Sequence, residues 1–189
     1  MNVTNRWAED EFEAIFREHF ARLMRVTRRV LGSEAEAEEV CSEVFLRLYR
    51  CGPHAIADGS AGGWLYRSGT RAAIDALRRN RRRHEEELAE DAGERLPADA
   101  DDPLGSVLRA ERIAHVRGAL ARMQVEKAQL LLLRHSGLSY QEISAALKIG
   151  ASSVGKMLAR AEAEFSKIYR RQQQMSEAAP RLEAAKEER

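Results

Sequence analysis

The residues best suited to chemistry in this chain are cations, gathered in two separate runs. The first reads Trp64-Leu-Tyr-Arg-Ser-Gly-Thr-Arg-Ala-Ala-Ile-Asp-Ala-Leu-Arg-Arg-Asn-Arg-Arg-Arg. At helical spacing, Trp64, Leu65, Ile74 and Leu77 can pack inward, while Arg67, Arg71, Arg78, Arg79 and Arg81 to Arg83 accumulate outside. A basic helix with aromatic rings near its start suits a surface that tracks phosphates and stacks bases. The same pattern also fits Trp64 and Tyr66 in a core, with the terminal arginines favouring the negative end of the helix dipole. The second run, Gly137-Leu-Ser-Tyr-Gln-Glu-Ile-Ser-Ala-Ala-Leu-Lys-Ile-Gly-Ala-Ser-Ser-Val, has the pattern of a helix-turn-helix. Ile143, Leu147, Ile149 and Val154 form its inner side, and small Ala145 and Ala146 permit close helix approach. Ser152, Ser153, Gly155 and Lys156 are left to face outward, and Arg160 extends the basic surface. A polar first turn is what a recognition helix presents to the major groove, where Lys156 can meet phosphate or a guanine edge. A structural hairpin with a solvated basic face is the bland alternative.

Other chemistry finds little support. Cys41 and Cys51 are the only cysteines, without a Cys-x-x-Cys or a Cys/His cluster, so no metal or cofactor is expected. No Gly-x-Ser-x-Gly elbow or phosphate loop accompanies the scattered Ser, His and Asp, so no enzyme is expected. A third surface is acidic: Glu36, Glu39 and Glu43, with Ser42 among them, share the outer side of one helix. It serves either as a solvated face or as a protein-docking surface.

The elements that carry these residues follow from composition. The chain has 189 residues, 44% of them hydrophobic, which is enough for a core. Its 31 Lys and Arg against 30 Asp and Glu leave a formal charge of +1, which by itself discourages a nucleic-acid reading. Counted by segment, the balance is +3 over 1–83, −8 over 84–105, +7 over 106–172 and −1 over 173–189. The acidic stretch, with Pro97 and Pro103 and few apolar residues, is expected to be a flexible linker. The longest apolar run, Leu130 to Leu133, is far short of the ~20 residues a membrane span needs. Met1 to Phe12 lacks a signal-peptide pattern, and the expected location is cytoplasmic.

Both basic units read as helix, and strand signals are absent. Phe12, Ile15, Phe16, Phe20, Leu23 and Met24 make one apolar face of a helix that reaches Leu31 and stops at Gly32. Ser33-x-x-Glu36 reads as a capping box for a second helix with Ala37, Val40, Cys41, Val44, Phe45 and Leu48 inside. Ser60 caps a third helix over 61–83. Asp102 and Pro103 open a fourth, which reaches about Met123. A fifth contains Leu130 to Leu133, a sixth opens at the Ser139-x-x-Glu142 box, and a seventh runs over about 151–170. The fold class is all-α: two small helical domains, 1–83 and 106–172, an acidic linker 84–105 and a polar tail 173–189.

These residues carry a resemblance to the extracytoplasmic-function (ECF) group of bacterial sigma-70 family sigma factors, over about 12–170. Ala37-Glu-Glu-Val-Cys-Ser-Glu-Val-Phe-Leu-Arg-Leu-Tyr resembles the family's core-polymerase-binding helix. Trp64-Leu-Tyr-Arg through Ile74-Asp-Ala-Leu-Arg-Arg resembles the segments that open and read the −10 element. Leu130 to Tyr169 resembles the −35 reader. The resemblance implies core-polymerase contacts by Glu36, Glu39, Ser42 and Glu43. It implies −10 contacts by Trp64, Arg67, Arg71, Asp75, Arg78 and Arg79, and −35 contacts by Tyr140, Gln141, Ser152, Ser153, Lys156 and Arg160. The implied partners are core RNA polymerase and promoter DNA, and members often have an anti-sigma factor. Five positions depart from the family pattern: Ser42 replaces Gln, Arg71 replaces Asn, Lys148 replaces Gly, and Gly155 and Met157 remove charge from the recognition helix. The competing reading is a stand-alone helix-turn-helix regulator that binds DNA without polymerase. A third is an adaptor that has lost its DNA surfaces.

Overall fold

The computed structural model describes residues 7–56, 60–90 and 103–187. Its helices are α1 (Glu9–Leu31), α2 (Glu34–Cys51), α3 (Ala61–Glu90), α4 (Pro103–Arg122), α5 (Val125–His135), α6 (Tyr140–Leu147) and α7 (Ala151–Glu187). A 3₁₀ turn, Pro53–Ile56, follows α2. No strand occurs among the described residues, as the sequence implies. No helix is long and apolar enough to cross a membrane among the residues described.

Helix ends follow local chemistry. Gly32 closes α1 in the left-handed region at φ 82°, its N–H donating to Arg28 O at 2.8 Å. Ser139 and Glu142 form a complete capping box on α6. The box expected at Ser33 is only half made. Ser33 Oγ accepts from Glu36 N–H, but the Glu36 carboxylate accepts instead from Asn80 Nδ2 at 2.9 Å. A side chain held by α3 is no longer available to turn back on its own cap. Ser60 Oγ accepts from Gly63 N–H at the start of α3, as expected. The Asp102 cap and Pro97 lie outside the described residues.

Two helices outrun their predicted ends. α3 continues from 83 to Glu90 into the acidic stretch, and α7 continues from 170 through the polar tail to Glu187. Glu dominates the first extension and Ala, Gln and Glu the second, all good helix formers, and Gln172 still packs beside Gly118 of α4.

α1, α2 and α3 pack around Leu23, Val30, Val44, Leu48, Leu65 and Ile74, all nearly inaccessible. Trp7 adds a staple that the helical periodicity missed, since it precedes α1; its indole N–H donates to Leu48 O at 3.1 Å. Cys41 is buried beside Thr27, 3.3 Å away, and burial pushes its thiol up, away from reactive thiolate. α4 to α7 pack around Met123, Leu130, Leu133, Leu138, Ile143 and Val154. These two groups do not stand apart. α3 lies against α4, α5 and α6, and one continuous apolar cluster runs through both units.

Candidate nucleic-acid interface

The helix-turn-helix is built by α6 and α7. Ile143, Ala146, Val154 and Leu158 are buried on its inner side, while Ala145 is exposed. Lys148 ends α6 in the left-handed region at φ 54°, a conformation costing a residue other than glycine on the order of 1 kcal/mol. Ser144 holds that turn closed: its O accepts from Ile149 N–H at 3.1 Å, and its Oγ donates to Ile149 O at 2.6 Å. This double clasp lets lysine stand in the turn. Ser152, Ser153, Lys156 and Arg160 are all exposed at the front of α7, with Gln141 exposed on α6. Tyr140 is exposed too, and Arg134 lies 5.3 Å from its ring centroid. The Tyr140 ring lies over Gly155 of α7, where a Cβ would sit in ordinary van der Waals contact with it at 3.5 Å. Lys127 pairs with Glu164 and braces α5 against α7.

The other basic face is arranged differently. Tyr66 is buried between His19 and Arg22, so of the two readings for this ring the core one holds. Trp64 is half-buried. Arg71, Arg79, Arg82 and Arg83 are exposed. Arg78, expected outside, faces the neighbouring unit: its Nε donates to Ala121 O at 3.0 Å and its Nη2 to Met123 O at 2.6 Å. These carbonyls end α4, where acceptors lack helical partners and the dipole favours a cation. Gln129, buried in α5, donates through Nε2 to Arg67 O at 2.8 Å and to Thr70 Oγ1 at 2.9 Å. Nothing in the periodicity singles out Gln129, because its partners are a backbone carbonyl and a hydroxyl on another helix.

Arg67, Arg71, Asp75 and Arg79 line one cavity of about 450 Å³ together with Glu43. Its opposite wall is Gln129 of α5 with Leu147, Ile149 and Met157 of the helix-turn-helix. Four of the six residues expected at −10, without Trp64 and Arg78, and one acid expected at polymerase are thus brought together, facing the second unit. The −35 set stays on a separate open face.

Glu39, Ser42 and Glu43 are exposed on α2, with Glu43 paired to Arg47 at 2.8 Å. Glu36 is half-buried and held by Asn80, so it belongs to the α2–α3 contact more than to the open surface. Leu46 and Tyr49, 45% and 42% exposed, add apolar area to the same helix. Exposed leucine beside acids marks a surface suited to a protein partner, and the alternation of charge with Leu46 carried that signal.

Comparison with known proteins shows the family. The sigma-70 region 2 family model matches residues 15–83, the stretch that folds as α1 to α3. The ECF RNA polymerase sigma factor SigE of Mycolicibacterium smegmatis is 30% identical over 154 residues, 81% of this chain and 59% of that protein. The chain belongs to the ECF group of the sigma-70 family. The RNA polymerase sigma-H factor of Pseudomonas aeruginosa is 26% identical over 163 residues, covering 82% of this chain and 84% of that one. The chain spans about three-fifths of the length of the SigE relative. Among solved structures, CnrH in complex with the cytosolic domain of CnrY aligns over 85% of this chain and 88% of that chain, at 19% identity and TM-score 0.49.

Proposed function

We propose that this ECF sigma-family chain is a transcription initiation factor that binds core RNA polymerase and directs it to promoters. The exposed Glu39, Ser42 and Glu43 face of α2 docks on polymerase. The α3 face holds the −10 element and captures unstacked bases, and the front of α7 docks at −35. The observation that carries this reading is the family match over α1 to α3 on a chain that also exposes a recognition helix with Ser152, Ser153, Lys156 and Arg160. An anti-sigma factor belongs to the proposal on family grounds. The chain works without catalysis, by coupling two weak DNA contacts through a common polymerase scaffold.

The packing adds a step to this mechanism. The −35 and −10 elements are about 25 base pairs apart, roughly 85 Å at ~3.4 Å per pair. The two units lie in direct contact, α3 against α4, α5 and α6. With α3 laid against α4 to α6, both contacts cannot form at once. We infer that the packed arrangement is the free form, and that polymerase separates the units before the promoter is engaged. Free protein is then a poor DNA binder for two reasons: it lacks the scaffold, and part of its −10 face is occupied.

The test mixes the purified chain with core polymerase and a promoter library and sequences the transcripts. Glu39→Arg should reduce core affinity at least tenfold with an unchanged circular dichroism spectrum. Equal core affinity in that variant, or no shared start motif with the unaltered chain, overturns the reading. Promoter binding by the chain alone at half-site spacing would instead indicate a stand-alone regulator.

A further inference from the structure

A second cavity, about 530 Å³, lies on the far side of the contact between the two units, enclosed by α1, α4, α5 and α7. Its walls are apolar: Val26 and Val30 of α1, Ile113 and Val116 of α4, Leu131 of α5 and Phe165 of α7. Ile113 and Val116 are themselves 41% and 38% exposed, so apolar surface is left open to water here. The rim is cationic. Arg29, Arg109, Arg112 and Arg117 line it, against the single acid Glu162 among the described lining residues.

Arg117 is the informative member. Its guanidinium is half-buried over Gly32, where any Cβ would collide with it. Its Nε is buried without a hydrogen-bond partner among the described residues, with only the charge of the Glu36 carboxylate on α2 opposing the cost of its burial. A buried donor of this kind is costly unless an acceptor reaches it, and arginine's planar fork fits a carboxylate with two parallel bonds. The volume falls within the ~300–1,000 Å³ range of small-molecule sites.

We propose that this cavity binds an apolar carboxylate of the medium-chain fatty-acid type, its chain among Val26, Val30, Ile113 and Phe165 and its carboxylate on Arg117. Because the walls come from both units, such a ligand binds the packed arrangement and stabilises it by mass action. Binding does not depend on the initiation-factor reading, since it is measured on the chain alone.

The experiment is calorimetric titration of the full chain with decanoate and with decanol. Decanoate should bind in the micromolar range, at least tenfold tighter than decanol, and should raise the urea midpoint. Arg117→Met should bring the two affinities within about twofold while keeping the helical spectrum. Ile113→Trp, at an exposed position that need not disturb folding, should fill the cavity mouth and weaken decanoate at least tenfold. Equal binding of decanoate and decanol to the unaltered chain overturns the proposal, as does absence of binding or full decanoate affinity in Ile113→Trp. Binding of an acidic helical peptide with no decanoate binding also overturns it and marks a protein-docking groove.

Discussion

The two basic surfaces of this chain make a useful pair. Both carry cations at helical spacing, and both look like nucleic-acid faces in one dimension. On α7, Ser152, Ser153, Lys156 and Arg160 project from a helix whose opposite side is packed within its own unit. On α3, the same kind of pattern faces a neighbour: Arg78 closes the end of α4, and Arg67 lends its carbonyl to Gln129. Periodicity reports which residues share a side of a helix. Whether that side is free depends on what folds against it.

The strongest way to break this contrast is to lock the contact. A Cβ at Gly63 would lie 3.4 Å from Ala146 Cα, so the α3 and α6 backbones approach closely here. In a Cys51→Ser background, Gly63→Cys with Ala146→Cys should lose promoter-dependent transcription at least a hundredfold when oxidised, and recover it on reduction. Equal transcription from oxidised and reduced protein would show that the units need not part. Gln129→Leu asks how much the contact is held by its buried hydrogen bonds. Losing the bonds to Arg67 O and Thr70 Oγ1 should cost about 1–3 kcal/mol in urea denaturation. The exposed front of α7 should keep its DNA phosphate contacts in that variant once polymerase is bound, read as an unchanged salt dependence.

Ser139→Ala sharpens the other half of the comparison. It removes one arm of the α6 capping box and should cost about 1 kcal/mol, read as a lower thermal midpoint, with the α3 side unchanged in hydrogen exchange. The smallest effect is that of pH. Burial pushes the His19 imidazole below its ordinary 6.5; Glu18 opposes this and Arg22 adds to it. A depressed histidine stabilises the fold fully above 6.5, and this contribution is lost as pH falls through the folded value. Glu142, held low by the Ser139 backbone and side-chain donors, and Glu164, held low by Lys127, behave alike from their ordinary 4.5 downward. His19 and Glu142 both line a cavity of about 650 Å³ where α1, α3 and α6 meet. Mild acid should therefore lower the urea midpoint slightly below pH 6.5, and more steeply in the carboxylate range. His19→Gln should flatten only the first step.

Much of this architecture was legible residue by residue. Gly32, Ser60 and the Ser139–Glu142 box mark helix ends because their chemistry is local, acting over three or four residues. The apolar stripes of α1, α2 and α6 were legible for the same reason, and so was the outward set on α7. The Ser33 box failed because Glu36 found a better donor in Asn80, 44 residues away. The ends of α3 and α7 were misjudged because a drop in apolar content reads as a boundary, although Glu, Ala and Gln go on favouring helix.

The sequence alone determined an all-helical chain, a segregated charge that a net +1 conceals, and the helix-turn-helix with its polar front. All of these rest on short-range periodicity and composition. Tertiary structure decided which basic face is open, that Arg78 serves as a cap on α4, and that Arg117 lies half-buried over Gly32 beside an apolar cavity. Those outcomes depend on groups brought together from distant parts of the chain. A carbonyl at a helix end or a glycine without a Cβ leaves no mark in the pattern of the residue that comes to rest on it.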